Sequence, residues 1–271
     1  MSEALTRYPF GPGLRYVDTG GRGAPVFLQH GLCGSAEQTS ELFSTDTHAR
    51  FLTLECRGHG QSAAGAVEAL SIATFTEDVR ALIEATGRER AVVGGVSMGA
   101  AIATRLAVKH PALVRGLILI RPAWICEPAP SNTAPNVEVG HLLGRLPAAQ
   151  AKAEFLAGET ARRLAREAPD NLASLTGFFS REPADITGEL LRRISLDGPG
   201  VSADDLRKLQ VPALVIGHID DAIHPIDMAR ELADLLPAAR FVEVTPKSVD
   251  RSAYVREIRA AIEQFLRSCP P

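Results

Sequence analysis

The sequence predicts an α/β protein built on a doubly wound, mostly parallel sheet, with a helical lid inserted between two strands. Short apolar runs alternate with helical patterns at both ends of the chain, as in parallel sheets covered by helices on both faces. Between residues 124 and 210 this alternation stops, and short helical patterns broken by Gly and Pro replace it. We therefore predict a core of residues 1–123 and 211–271. Residues 124–210 form the helical insertion, which we expect over the carboxyl edge of the sheet, where ligands bind in such folds.

The first elements are predicted from apolar runs bounded by turn residues. Leu14–Asp18 and Pro25–Gln29 are strands separated by a Gly-rich turn, and Phe51–Glu55 is the next strand. Thr74 and Glu77 have capping-box spacing, and apolar residues then follow with helical periodicity. These patterns predict three strands and then a helix.

The middle of the chain continues the alternation. Ala91–Val96 is a strand, Met98–Lys109 is a helix that ends before Pro111, and Leu117–Ile120 is a strand. This order of elements predicts a parallel pair of strands joined by a helix.

The elements after the insertion also alternate. Val211–Gly217 is almost wholly apolar, as expected of a strand buried on both faces. Pro225 suits the first turn of a helix that runs to Leu236, and Phe241–Val244 is the final strand. One apolar face marks a last helix through Tyr254, Ile258, Ile262 and Phe265.

Bulk composition excludes several classes of protein. The chain has 271 residues, 45% of them hydrophobic and 23% charged, with a formal net charge of -3. Nucleic acids and anionic membranes are not expected partners, because binding phosphates requires a concentrated basic surface. Neither a signal peptide nor an apolar run long enough to span a bilayer is evident, so we expect a soluble cytoplasmic protein. Oligomeric state is not predicted.

The cysteines give no sign of a metal or redox centre. The chain has four cysteines, Cys33, Cys56, Cys126 and Cys269, and no two of them have the spacing of a metal site or a redox motif. We therefore expect reduced thiols, no metal site and no cofactor.

A serine in a tight turn is the strongest sign of chemistry. Ser97 stands at the centre of Gly95-Val96-Ser97-Met98-Gly99, directly after a predicted strand. A strand, a sharp turn and a helix in this order present the hydroxyl at the top of the sheet. Because the turn is strained and crowded, the residues two positions before and after Ser97 must be small, and both are Gly. The pattern predicts a nucleophilic serine.

Four motifs in order carry a resemblance to a known family: HGLCGS at 30–35, RGHGQS at 57–62, GVSMG at 95–99 and GHIDDAIHP at 217–225. With them, nearly the whole chain resembles the α/β-hydrolase family, in the capped branch that includes esterases, lactonases, C–C bond hydrolases and cofactor-free haloperoxidases.

This resemblance implies roles for particular residues. Ser97 would attack, and the backbone N–H groups of Leu32 and Met98 would stabilise the oxyanion. The acid that orients the base corresponds to Asp221, with Asp220 as the alternative. His30, which shapes the oxyanion loop, and Trp124, at the start of the insertion, are candidates for substrate binding.

The family histidine is missing from its usual place. In the family it follows the last strand, commonly in a Pro-Gly-x-Gly-His pattern, whereas this chain has Asp250 at that position and no histidine after His224. Asp250 could act as a base, but it directly precedes the last helix, and we favour a capping role. His224, three residues after Asp221, could instead rotate toward Ser97 and replace the absent base.

The sequence therefore predicts a serine hydrolase of a small ester, lactone or related acyl bond, weak or atypical because the family histidine is absent and Asp250 stands in its place. Its expected partner is a small-molecule substrate. Two alternatives remain: a catalytically silent relative that binds a small molecule under the lid, and a lyase-like or transfer activity on the same scaffold.

Overall fold

The computed structural model describes residues 5–21, 23–43, 49–87 and 90–269. Within them one eight-stranded sheet has the order β1-β2-β4-β3-β5-β6-β7-β8. The two pairings that involve β2 are antiparallel and the others are parallel. The strands are β1 Arg7–Phe10, β2 Leu14–Asp18, β3 Pro25–Gln29, β4 Arg50–Glu55, β5 Ala91–Val96, β6 Val114–Ile120, β7 Ala213–Gly217 and β8 Ala239–Glu243. The predicted doubly wound, mostly parallel sheet is confirmed.

The predicted elements omit strand β1 and place some boundaries differently. β1 contains Pro9, which weakens its strand pattern, and Pro is tolerated where β1 lies, at an edge of the sheet. The helix predicted from Thr74 and Glu77 begins earlier. Its N-cap is Ser71, whose hydroxyl accepts a hydrogen bond from Thr74 N–H, so the predicted capping box is wrong.

Helices cover both faces of the sheet. They are α1 Ala36–Ser40, α2 Ile72–Ala85, α3 Met98–Lys109, α4 Ala134–Leu143, α5 Ala148–Ala157, α6 Glu159–Glu167, α7 Pro169–Phe178, α8 Ala184–Leu196, α9 Ala203–Lys208, α10 Ile226–Leu235 and α11 Arg251–Ser268. Alternate residues of β5 point to opposite faces: Val93 packs in the core with α2, α3 and α10, and Val92 in the core with α11. None of the described helices is both long and apolar enough to cross a membrane.

Residues 124–210, the segment predicted as a helical insertion, contain α4 to α9 and no strand, and the structure describes all of them. This segment has a hydrophobic core of its own, which includes Phe155, Leu164 and Phe179. Leu32 and Cys33, from the loop after β3, pack against this core. The insertion therefore packs over the carboxyl end of β3.

The strand order fixes where a ligand can enter. After β3 the chain crosses to β4 on one side of the sheet, whereas after β5 it proceeds to β6 on the other side. The adjacent carboxyl ends of β3 and β5 therefore mark the point at which the winding reverses. Crevices for ligands form at such points in open α/β sheets. The loop after β3 carries Leu32, and the turn after β5 carries Ser97.

Candidate active site

Ser97 occupies a strained turn between β5 and α3. Its backbone has φ 55° and ψ -110°, a conformation that L-residues rarely adopt. The flanking glycines allow the close packing that the turn needs. A Cβ on Gly95 would lie 2.6 Å from the carbonyl oxygen of Gln29, and one on Gly99 would overlap the same oxygen. The structure thus gives the sequence motif the tight turn that was predicted.

His224 lies against the Ser97 hydroxyl. The imidazole Nε2 is 2.8 Å from Ser97 Oγ, and Nδ1 is 3.0 Å from each carboxylate oxygen of Asp221. A carboxylate can only accept, so Nδ1 carries the proton and Nε2 is free to accept the serine proton. Ser97, His224 and Asp221 therefore form a hydrogen-bonded chain of hydroxyl, imidazole and carboxylate, the arrangement that a nucleophile, a base and an orienting acid require.

Asp221 is held as a buried carboxylate. Its Oδ2 accepts hydrogen bonds from Arg121 Nε at 2.8 Å and Nη2 at 2.5 Å, and its Oδ1 accepts one from Asn171 Nδ2 at 2.9 Å. Burial alone would raise the pKa of Asp221, but the charge of His224, which is protonated in the acid range where Asp221 would titrate, and the charge of Arg121 hold that pKa well below the usual range. Asp221 thus remains ionised beside the imidazole.

The same environment acts on the base. Burial lowers the pKa of His224, the charge of Asp221 opposes this effect, and the charge of Arg121 adds to it. Arg121 Nη2 also lies 3.1 Å from His224 Nδ1. A guanidinium charge this close to the ring disfavours the imidazolium form. His224 is therefore set to be neutral at neutral pH.

Several backbone N–H groups of the loop after β3, residues 30–35, already have acceptors. Gly31 N–H donates to Gln38 Oε1, Cys33 N–H donates to His59 Nε2, and Gly34 N–H donates to the Gly31 carbonyl. Leu32 N–H has no acceptor among the described residues and borders the cavity beside Ser97. Helix α3 begins at Met98, so the Met98 N–H lies in its first turn, where backbone donors lack helical acceptors.

Two neighbouring histidines stabilise this loop. His59 Nε2 accepts from Cys33 N–H, and His30 Nε2 accepts from Cys56 N–H, so each ring carries its proton on Nδ1. Their ring centroids are 4.7 Å apart, and burial lowers the pKa of both. His30 is fully buried and does not line the cavity, so its predicted role in substrate binding is corrected to support of the loop.

A cavity of about 480 Å³ opens above Ser97. Its walls come from the loop after β3, the turn after β5, the loop after β7 and helices of the insertion. They include Leu32, Gln38, Ser97, Asn171, Phe178 and His224. The volume lies within the range typical of small-molecule sites. Among the described residues, no group of three or more His, Cys, Asp or Glu side chains is placed to hold a metal ion.

Three other predicted site residues lie elsewhere. Asp250 is exposed and accepts a hydrogen bond from Ala253 N–H at 2.9 Å, which makes it the N-cap of α11, the role that the sequence favoured. Trp124 is buried and donates from Nε1 to the Asp197 carbonyl at 2.9 Å, so it ties the start of the insertion to the end of α8 instead of lining the cavity. Asp220 is exposed, and Asp221 alone of the two acids bonds the imidazole.

Sequence reasoning missed several polar residues of the site. Arg121 directly follows β6 with a positive φ of 48°, a conformation unusual for arginine that no motif announces. Asn171 bridges α7 to the loop after β7, donating to Asp221 and accepting from Ala222 N–H at 2.7 Å. Gln38 holds the loop after β3 through Gly31 N–H. None of these three residues stands in a motif that the sequence analysis recognised.

All four cysteines, each within the described residues, are free thiols. Cys33 lies beside the cavity, but burial raises the pKa of its thiol to about 12. A thiol that stays protonated at neutral pH is a poor nucleophile. Ser97 is therefore the reactive side chain that this geometry favours.

Comparison with known proteins agrees with the fold. The family model for the alpha/beta hydrolase fold matches residues 24–248. A relative from Pseudomonas savastanoi pv. phaseolicola, named as a carbamate hydrolase (RutD), is 31% identical over 226 residues, which cover 81% of this chain and 84% of the relative. A relative from Mycobacterium tuberculosis, named as a non-heme bromoperoxidase (BpoC), is 29% identical over 72% of this chain and 74% of its own length.

Solved structures share the fold. An enol-lactonase from Burkholderia xenovorans LB400 superposes with a TM-score of 0.71 at 24% identity, covering 94% of this chain and 96% of the lactonase. A thermophilic esterase from Thermogutta terrifontis has a TM-score of 0.70 at 22% identity, covering 94% of this chain and 93% of the esterase.

Proposed function

The chain belongs to the α/β-hydrolase family and is a hydrolase, and from that premise we propose that it cleaves a small ester, lactone or related acyl bond through Ser97. The observation that carries this proposal is the distance of 2.8 Å between Ser97 Oγ and His224 Nε2. A serine at hydrogen-bond distance from a neutral imidazole has the base that its activation requires.

The reaction begins when Ser97 Oγ attacks the acyl carbon and its proton passes to His224 Nε2. The carbonyl oxygen becomes an oxyanion and receives hydrogen bonds from the Leu32 and Met98 N–H groups. Collapse of the tetrahedral intermediate breaks the bond to the leaving group, which takes the proton from His224. Water then attacks the acyl-enzyme, with His224 again as the base, and releases the carboxylic acid and the free serine.

Asp221 and Arg121 have separate parts in this cycle. Asp221 fixes the His224 tautomer and stabilises the imidazolium that forms during each proton transfer. Arg121 offsets part of that stabilisation, because it neutralises the same carboxylate. The pair therefore keeps the base oriented without making it strongly basic.

The sequence led us to expect weak activity because the base was missing from its usual place. The contact between His224 and Ser97 removes that reason, and we propose that the site turns over its substrate with a full set of catalytic groups. The names of the relatives, a carbamate hydrolase, an esterase and an enol-lactonase, favour an acyl substrate. The cavity volume favours a small one.

Turnover of 4-nitrophenyl acetate and butyrate by wild type and Ser97→Ala tests this proposal. We expect wild type to hydrolyse both and Ser97→Ala to lose on the order of 10⁶-fold in kcat. Ser252→Ala, on the exposed face of α11, is the matched control and should behave as wild type. Full turnover by Ser97→Ala would refute the serine mechanism. Absence of turnover by wild type, combined with tight binding of a small molecule, would favour the silent relative.

A further inference from the structure

The walls of the cavity above Ser97 are unevenly charged. The described lining residues include the cations Arg121, Arg181 and Lys247 but no Asp or Glu. Their charges are not equivalent, because Arg121 forms an ion pair with Asp221. The positive charge that faces a bound ligand therefore comes from the other two.

Arg181 has no carboxylate partner within the described part of the chain. Its Nη1 donates to Thr187 Oγ1 at 2.8 Å and its Nη2 donates to the Gly58 carbonyl at 2.5 Å, and both acceptors are neutral. These two bonds fix the plane of a half-buried guanidinium, and they use two of its five N–H donors. The remaining donors and the full charge are available to a ligand.

Lys247 is the weaker candidate. It borders a second, much smaller cleft, which it shares with three acidic residues, Asp170, Asp220 and Asp221. Its side chain is also flexible, and an ammonium group does not match a carboxylate in shape. Arg181, in contrast, faces the cavity from the side of the loop after β3, close enough for its charge to act on the Cys33 thiol.

We infer that the cavity binds an acyl substrate that carries a second, anionic group, a carboxylate, and that Arg181 is the specificity-determining residue that binds it. This inference rests on the proposed function, since it assigns a substrate class to the same site. An arginine held by neutral acceptors and facing a cavity without acids is suited to bidentate recognition of a carboxylate. Half-esters of dicarboxylic acids and lactones that bear a carboxylate belong to this class.

A pair of matched esters tests the inference. The charged ester is mono-4-nitrophenyl glutarate, and the neutral one of the same chain length is 4-nitrophenyl pentanoate. For wild type we expect kcat/KM to be roughly 10- to 100-fold higher for the charged ester, because a charge-assisted hydrogen bond strengthens binding by about this factor. Arg181→Gln should reduce this ratio to about one. Arg163→Gln, on the exposed face of α6, is the matched control and should keep the wild-type ratio.

Other variants separate specificity from structural support. If Arg181 served only to hold Gly58 and Thr187, Arg181→Gln would lower kcat/KM for both esters together and leave the ratio unchanged, which would overturn the inference. Equal kcat/KM for the two esters in wild type would also overturn it. Collapse of the ratio in Lys247→Gln but not in Arg181→Gln would contradict the assignment to Arg181.

Binding to a catalytically impaired variant keeps the two proposals distinguishable. Calorimetric titration of glutarate into Ser97→Ala measures the anion site without turnover. Saturable binding that Arg181→Gln abolishes in the Ser97→Ala background would support the anion site even if the serine mechanism failed. No binding of glutarate, together with normal turnover of the neutral ester by wild type, would refute the anion site and leave the proposed function intact.

Discussion

His224 Nδ1 lies 3.0 Å from Asp221, only three residues earlier in the chain, while its Nε2 reaches Ser97, which is 127 positions away. A single turn therefore supplies both the acid and the base. The carboxylate organises this turn, because Asp221 Oδ1 also accepts hydrogen bonds from the backbone N–H groups of Ile223 and His224. A carboxylate that accepts backbone N–H groups in this way stabilises the turn. The turn in turn fixes where the His224 side chain leaves the backbone.

Replacement of the acid should impair the base. In Asp221→Asn the side-chain amide can donate a hydrogen bond to Nδ1 as well as accept one from it. The tautomer with its proton on Nδ1, which leaves Nε2 free to accept the Ser97 proton, is then no longer favoured. We expect kcat for an activated ester to fall by about 10³- to 10⁴-fold. Asp220→Asn alters the exposed neighbour and should keep wild-type kcat. Equal losses in the two variants would contradict the assignment of Asp221 as the acid.

Activity should follow the titration of His224. The pKa of His224 is lowered from its ordinary value of about 6.5. We therefore expect kcat/KM to be constant at neutral pH and to fall only below about pH 6.5, where the imidazole becomes protonated. Arg121→Gln removes a positive charge beside the imidazole, so the pKa of His224 should rise and the midpoint should move to higher pH. Arg121→Lys retains the charge and should keep the midpoint low. The pH dependence of kcat/KM for the three proteins is the measurement, and a midpoint in Arg121→Gln at or below that of wild type would contradict this account.

The folded protein should lose stability in mild acid. Burial lowers the pKa of four histidines, His30, His59, His218 and His224, in the folded state. Below about pH 6.5 the unfolded chain binds more protons than the folded one, so the free energy of unfolding falls as pH falls. Each such histidine contributes at most about 1.4 kcal/mol per pH unit.

Urea denaturation at pH 7.5 and pH 5.5 measures this loss. We expect a clear decrease in the free energy of unfolding at the lower pH. A free energy of unfolding that is equal or higher at pH 5.5 would contradict the account.

Local sequence patterns predicted the residues whose geometry is set by their immediate neighbours. The turn at Ser97 follows from two flanking glycines, and the cap at Asp250 follows from its position before a helix. Arg121 and Asn171 could not be identified in this way. Their partner, Asp221, lies 100 and 50 positions away in the chain, so only the assembled sheet and insertion bring them together.

The orientation of His224 was also beyond local reasoning. Its spacing from Asp221 put both residues on one loop, but a side chain in a turn can point toward the acid, the solvent or the neighbouring strand. The direction is set by the order of β5, β6 and β7, which brings the loop after β7 toward the turn after β5. The strand β1 was missed for a different reason, since Pro9 obscures a short edge strand.

The rate at which a fluorophosphonate labels Ser97 tests the central claim most directly, that His224 is the base. Mass spectrometry of the labelled peptide compares wild type with His224→Gln and, as the matched control at the family's usual histidine position, Asp250→Asn. We predict rapid labelling of wild type and Asp250→Asn and a loss of about 10³-fold or more in His224→Gln, because the hydroxyl would lack its proton acceptor. Labelling of His224→Gln at the wild-type rate, or a comparable loss in Asp250→Asn, would contradict the claim.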